Sequence, residues 1–161
     1  WVKSEYGSPG LFAETPDALV RVKEDNEFLY EKFPIESQFY FSNSRRSIEF
    51  YVSNYISESK IDPLNFQSIL ESNLDNLESI GLQNMLVKYD QFETPNKANG
   101  IIISGSADFN KNNRPGRYNI LGFLTETGFK TVVLLVHEGR YLDQIEDRII
   151  NSIEALKNKK E

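Results

Sequence analysis

A chain of 161 residues with 39% hydrophobic and 12% aromatic content has enough apolar material for one folded domain with a sizeable core. Its formal net charge of -6 argues against a general nucleic-acid surface or an anionic-membrane surface, since both need a basic field. The absence of cysteine removes disulfides, Cys-ligated zinc, iron–sulfur clusters and thiol catalysis together.

The stretch from Trp1 to Gly10 is polar, ends in the turn cluster Gly7-Ser8-Pro9-Gly10, and is expected to be an extended N-terminal segment of a single domain spanning residues 1–161. Leu11–Glu14 and Ala18–Lys23 read as short strands, and Asp25–Lys32 is ambiguous between a helical turn and coil. Gln38–Ser42 alternates Phe39 and Phe41 against Tyr40, a strand signal, and Asn43-Ser44-Arg45-Arg46 reads as a hairpin loop. Ile48–Ile56 alternates next, with Ile48, Phe50, Val52 and Ile56 on one face and Glu49, Tyr51, Ser53 and Tyr55 on the other.

A helix is predicted from about Asp62 to Ile80. Asp62 can accept from the free N–H groups of the first turn, and Pro63 suits the first helical position. Phe66, Ile69, Leu70, Leu74, Leu77 and Ile80 form one apolar stripe, and Gly81 stops the helix. Four strands follow, at Leu82–Glu93, Ile101–Phe109, Arg117–Thr125 and Phe129–His137. Short turns between neighbours imply antiparallel pairing. The run Val132–Val136 is apolar on both faces, which places its strand centrally. A closing helix is expected from about Tyr141 to Lys157, with Leu142, Ile145, Ile149, Ile153 and Leu156 along one side. No apolar run approaches the roughly 18–20 residues of a transmembrane helix. Because the chain opens at Trp1 and not Met, we expect an N-terminal segment to have been removed, which favours an exported or lipid-anchored origin.

A helix, an antiparallel meander and a closing helix, preceded by short aromatic strands, make an α+β fold class: an antiparallel sheet flanked by helices. Three segments carry a resemblance within that order. They are Asn99-Gly100-Ile101-Ile102-Ile103-Ser104-Gly105-Ser106, Arg117-Tyr118-Asn119-Ile120-Leu121 and Ile149-Ile150-Asn151-Ser152-Ile153. Over roughly Leu11 to Leu156 the chain resembles the PsbP-like α/β/α sandwich family, a fold shared by photosystem extrinsic proteins and a Ran-binding nuclear-import factor. That resemblance implies a non-enzymatic accessory, assembly or binding role. It carries over no active-site residue.

The residues offer little chemistry of their own. His137 is the only histidine and precedes Glu138, so a His–carboxylate pair can be drawn, and a small hydrolase or isomerase built on it is the alternative function. A lone His without Cys does not make a zinc site, and no metal or cofactor is expected. Ser104-Gly105-Ser106 lacks the spacing of a nucleophile elbow and reads as a place where backbone comes close. Glu71, Asp75 and Glu78 read as a solvated acidic helix face. The candidate binding residues are Arg45, Arg46, Tyr51 and Tyr55: if Phe50 and Val52 face the core, the same strand exposes two tyrosines beside two arginines, the types enriched at interfaces. The partner on this reading is a protein or small molecule of unknown identity, and a homodimer through the sheet face or the aromatic hairpin is a further option.

Overall fold

The computed structural model describes residues 1–6, 10–17, 19–21, 33, 35–42, 48–109, 114–137 and 142–155. In chain order these form β1 (Val2–Tyr6), β2 (Leu11–Thr15), β3 (Val20–Arg21), β4 (Ile35–Ser42), β5 (Ile48–Ile56), α1 (Pro63–Ser79), β6 (Leu82–Gln83), β7 (Lys88–Glu93), β8 (Asn99–Phe109), β9 (Arg114–Leu124), β10 (Gly128–His137), α2 (Leu142–Ser152) and β11 (Glu154–Ala155). The class is α+β: two helices on a mostly antiparallel, curled sheet that closes about half a barrel. Among the described residues no helix is long and apolar enough to cross a membrane.

The main sheet runs β3-β4-β5-β10-β9-β8-β6, with β7 also pairing β8. Every pairing is antiparallel, and β10 sits between β5 and β9 with all ten of its residues buried, as its uninterrupted apolar run predicts. A smaller sheet, β1-β2-β11, joins the two ends of the chain.

The alternation of side chains along β10 divides the interior in two. Val132, Leu134 and Val136 pack with Phe50, Val52, Leu121 and Phe123 against Ile149 and Ile153 at the α2 end of the chain and against Tyr6, Leu11 and Ala13 of the small sheet. Val133 and Leu135 turn the other way, toward Leu70 and Leu77 of α1. The two helices therefore cover opposite faces of the sheet.

α1 begins as its sequence predicts. Asp62 Oδ1 accepts from the Leu64 N–H at 2.9 Å, and Pro63 occupies the first turn. The helix comes close to β9 because Gly122 has no side chain; a Cβ there would lie 2.8 Å from both Leu70 Cδ1 and Phe66 Cζ. α2 is tied down by a buried carboxylate. Glu146 accepts from Arg117 Nε at 3.0 Å and from Asn119 Nδ2 at 3.1 Å, both on β9. Burial pushes the Glu146 carboxyl above its ordinary pKa, and this outweighs the opposing pull of Arg117.

Several boundaries differ from the expectations. Residues 82–93 are two strands and not one, because Asn84 takes a left-handed φ of 54° and breaks the run after Gln83. The N-terminal segment is a paired strand, with Val2 opposite Thr15 and Tyr6 opposite Leu11. The Arg148 guanidinium lies 3.9 Å from the centroid of the Trp1 ring and also bonds the Glu14 carboxylate, which fixes that strand to α2. The closing helix stops at Ser152, and Glu154 and Ala155 pair with Phe12 and Leu11. β9 starts at Arg114, inside what reads as the loop before Arg117. The ambiguous stretch Asp25–Lys32 lies outside the described residues.

Candidate functional site

The strand carrying Tyr51 and Tyr55 does not present an exposed aromatic face, and that expectation is corrected. Tyr51 is 9% exposed and Tyr55 only 3%. β5 is an inner strand between β4 and β10, and its polar-looking face is interior too, because it belongs to the side of the sheet that packs with Phe66, Leu70 and Leu77 of α1. Tyr51 packs on Tyr40, ring centroids 4.6 Å apart, and Tyr55 stacks on Phe129 at 4.7 Å. The Tyr55 hydroxyl finds hydrogen bonds with Ser53 and Thr131, and burial raises its pKa above the ordinary tyrosine value. Arg45 and Arg46 lie outside the described residues. The face assigned to the core is buried at Ile48, Phe50 and Val52, and of its four residues Ile56 alone reaches solvent, at 42%.

His137 is buried at the end of β10, with its ring centroid 4.1 Å from that of Phe109. The carboxylate near it is Glu49, whose Oε2 stands 4.0 Å from His137 Nε2, while Glu138 lies outside the described residues. The Tyr40 hydroxyl approaches the other Glu49 oxygen at 3.4 Å. The geometry brings Tyr40, Glu49 and His137 together in a part-buried polar cluster, in which the His137–Glu49 separation is longer than a hydrogen bond.

A buried, hydrogen-bonded polar chain occupies the far end of the same three strands. The Lys130 ammonium donates to Asn54 Oδ1, and Asn54 Nδ2 donates to Ser37 Oγ at 2.9 Å. Lys130 is 3% exposed, and burial pulls its pKa down against the opposing attraction of Glu36 and Glu5. A lysine whose pKa is lowered by folding costs stability while it is charged in the native state, so native stability rises with pH from the lowered value toward the ordinary 10.5. Lys130→Met is therefore expected to be neutral or stabilising at pH 7, with its advantage over wild type shrinking as pH approaches 10; urea denaturation at several pH values measures this.

An open concavity lies elsewhere among the described residues. A groove of about 890 Å³ runs between the first turn of α1 and the β7–β8 hairpin. Its size falls within the range of small-molecule sites. Phe66, Ile101 and Leu124 supply apolar floor, and they belong to the aromatic cluster built on Tyr55 and Phe129. Leu64 and Tyr89 stand at its sides, 85% and 45% exposed. Gln67, Gln91 and Asn99 add amide donors and acceptors, and Asp90, whose Oδ1 accepts from the Gln91 N–H at 2.8 Å, also borders it. Among the described residues lining it there is no Lys, Arg or His.

Each wall has a local cause. The capped start of α1 holds Leu64 and Gln67 in place, and Gln67 Nε2 reaches Glu71 Oε1 at 3.2 Å. β7 is held only by β8, with Tyr89 opposite Ile103 and Gln91 opposite Ile101, so its outer edge is open among the described residues. The segment leading into β7 is pinned through Leu86, whose N–H donates to Ser106 O at 3.0 Å and whose carbonyl accepts from the Tyr118 hydroxyl at 2.6 Å. Burial, with Tyr89 nearby, pushes the Tyr118 hydroxyl up to about 12.

Sequence reasoning did not find this groove. One signal was present: Leu64 has polar Gln67 and Ser68 at its helical neighbours, so it falls off the buried stripe.

The molecule is thus a small α+β domain with an open groove of mixed apolar and polar lining beside a helix start. No protein-family model matches the chain, and no curated protein matches it significantly.

Proposed function

We propose that the chain is a non-catalytic binding or accessory domain whose ligand occupies the groove between α1 and the β7–β8 hairpin. The observation that carries this reading is the groove's lining: an apolar floor continuous with the core, exposed Leu64 and Tyr89 at the sides, and a few amides at fixed positions. An apolar body is desolvated on the floor while amides orient its polar part. The PsbP-like resemblance is part of the same proposal. Its support is the order of elements and the placement of α1 and α2 on opposite faces of an antiparallel sheet.

The alternative, a small hydrolase or isomerase, would use His137 with Glu49 as its carboxylate. The binding reading is favoured because neither residue lines the groove.

Gln67→Trp tests the proposal. Gln67 is exposed on α1, so an indole there fills the groove without entering the core. Native mass spectrometry of the untreated protein is expected to show a retained mass that Gln67→Trp loses while its melting temperature stays within about 2 °C of wild type. A retained mass that survives Gln67→Trp would place the ligand elsewhere.

A further inference from the structure

We infer that the outer edge of β7 docks a second copy of this chain, whose own β7 adds antiparallel across a two-fold axis at Tyr89. The inference goes beyond the groove reading and does not rest on it.

The backbone of β7 sets which groups are free. The Leu86 N–H bonds Ser106 O at 3.0 Å and the Thr94 N–H bonds Ala98 O at 2.9 Å, both in the register that places Lys88 opposite Ser104 and Glu93 opposite Asn99. Bonded pairs alternate along an antiparallel ladder, so Lys88, Asp90 and Phe92 turn their backbone groups toward β8. Tyr89, Gln91 and Glu93 turn theirs outward, where no described strand lies. The Gln91 N–H agrees with this phase: its acceptor is the neighbouring Asp90 Oδ1, at 2.8 Å, and not a carbonyl of β8. The same edge carries exposed apolar side chains in Leu86, Val87 and Tyr89. An open edge of this kind is a template for another strand.

Charge identifies the occupant. Lys88 and Asp90 are exposed and share the face of β7 opposite to Tyr89 and Gln91. A two-fold axis at Tyr89 sets Lys88 directly against Asp90 of the second copy, and Asp90 against its Lys88, so one axis makes two ion pairs. Val87 then falls against Gln91 of the second copy, and the outward backbone groups of residues 87, 89 and 91 meet in bonded pairs. An axis at Lys88 or at Asp90 sets like charges face to face, which destabilises the pairing. An axis at Gln91 leaves Lys88 opposite Thr94 and Asp90 opposite Phe92, with no ion pair. Edges that resist self-pairing display charges that repel their own copies. Opposite charges two residues apart on one face do the reverse. In the single chain Asp90 holds the Gln91 N–H; in the dimer the Val87 carbonyl of the second copy takes that N–H, and the carboxylate is released to Lys88.

Sedimentation velocity of the full chain from about 10 μM to about 1 mM tests this. A strand-edge contact is smaller than the ~1,200 Å² of a standard interface, so a Kd on the order of 100 μM is expected, tightening at low salt. Lys88→Glu and Asp90→Lys each place like charges opposite one another, and each is expected to weaken the dimer about tenfold or more. Both are exposed substitutions, so their melting temperatures should stay near that of wild type. An equal mixture of the two variants restores opposite charges at both pairs and is expected to sediment as a heterodimer of wild-type strength. Gln91→Pro removes an outward N–H and no bond to β8, and should also give a monomer. A wild-type chain that stays monomeric at the highest concentration would overturn the inference. So would a dimer that both charge reversals leave intact, or a mixture of the two variants that stays monomeric.

Discussion

Phe129→Ala is expected to lower the stability of this domain by about 3–5 kcal/mol, the largest effect of any single truncation considered. Phe129 is 1% exposed and meets three rings: Tyr55 at 4.7 Å, Phe33 at 5.0 Å and Phe66 at 5.5 Å. The truncation removes its own transfer energy, leaves a cavity, and deletes aromatic pairs worth roughly 0.5–1.5 kcal/mol each beyond burial. Domains of this size have total stabilities of about 5–15 kcal/mol, so roughly a fifth or more of the margin would go. The melting temperature should fall by on the order of 10 °C. The effect also reaches the groove, because Phe66, Ile101 and Leu124 belong to the same cluster. A variant that stays folded should therefore bind groove ligands more weakly. Thermal denaturation within a degree or two of wild type would show that this cluster does not hold the fold together.

Gly105→Ala should destabilise by about 2–4 kcal/mol through an unrelated route. A Cβ at residue 105 would lie 1.8 Å from the Leu86 carbonyl oxygen and 2.7 Å from its carbonyl carbon. Those are backbone atoms, so no side-chain rotation relieves the clash and the segment before β7 has to move. Its displacement breaks the Leu86–Ser106 bond and removes the acceptor of the Tyr118 hydroxyl, which belongs to a fully buried side chain. Overpacking costs about 1–3 kcal/mol, and a stranded buried hydroxyl costs a comparable amount. Because both act through Leu86, adding Tyr118→Phe to Gly105→Ala should cost less than the sum of the single changes, and urea denaturation of the four proteins in the cycle measures the coupling. Strict additivity would mean that the segment around Leu86 is not what Gly105 accommodates. The same shift should loosen Tyr89 and reduce groove affinity.

The elements that were legible in the sequence carry their own local cause. α1 announces itself through Asp62, Pro63 and a single apolar stripe, and β10 through an apolar run with no polar face. The small residues around Gly105 correctly signalled a close backbone approach, although the approaching segment was not identifiable. What was misread depends on partners far along the chain. The Tyr51 and Tyr55 face of β5 alternates polar and aromatic residues as an exposed face does, but the Tyr55 hydroxyl is satisfied inside by Ser53 and Thr131, and the two rings pack on Tyr40 and Phe129. β1 and β11 are polar or very short, and each exists because of β2, which for β11 lies some 140 residues away. The groove is the extreme case: its lining comes from α1, β7, β8 and β9, and no stretch of sequence contains more than part of a wall. Only the off-stripe Leu64 marks it.

The central claim is that this domain acts through the groove beside α1. The most direct measurement is a fragment titration of the isotopically labelled protein, followed by amide chemical shifts with a chemically mixed set of probes. Perturbations are expected to gather on Gln67, Tyr89, Gln91, Asn99 and Ile101, and Gln67→Trp is expected to abolish them. Perturbations gathered instead around His137 and Glu49, or unchanged by Gln67→Trp, would contradict it.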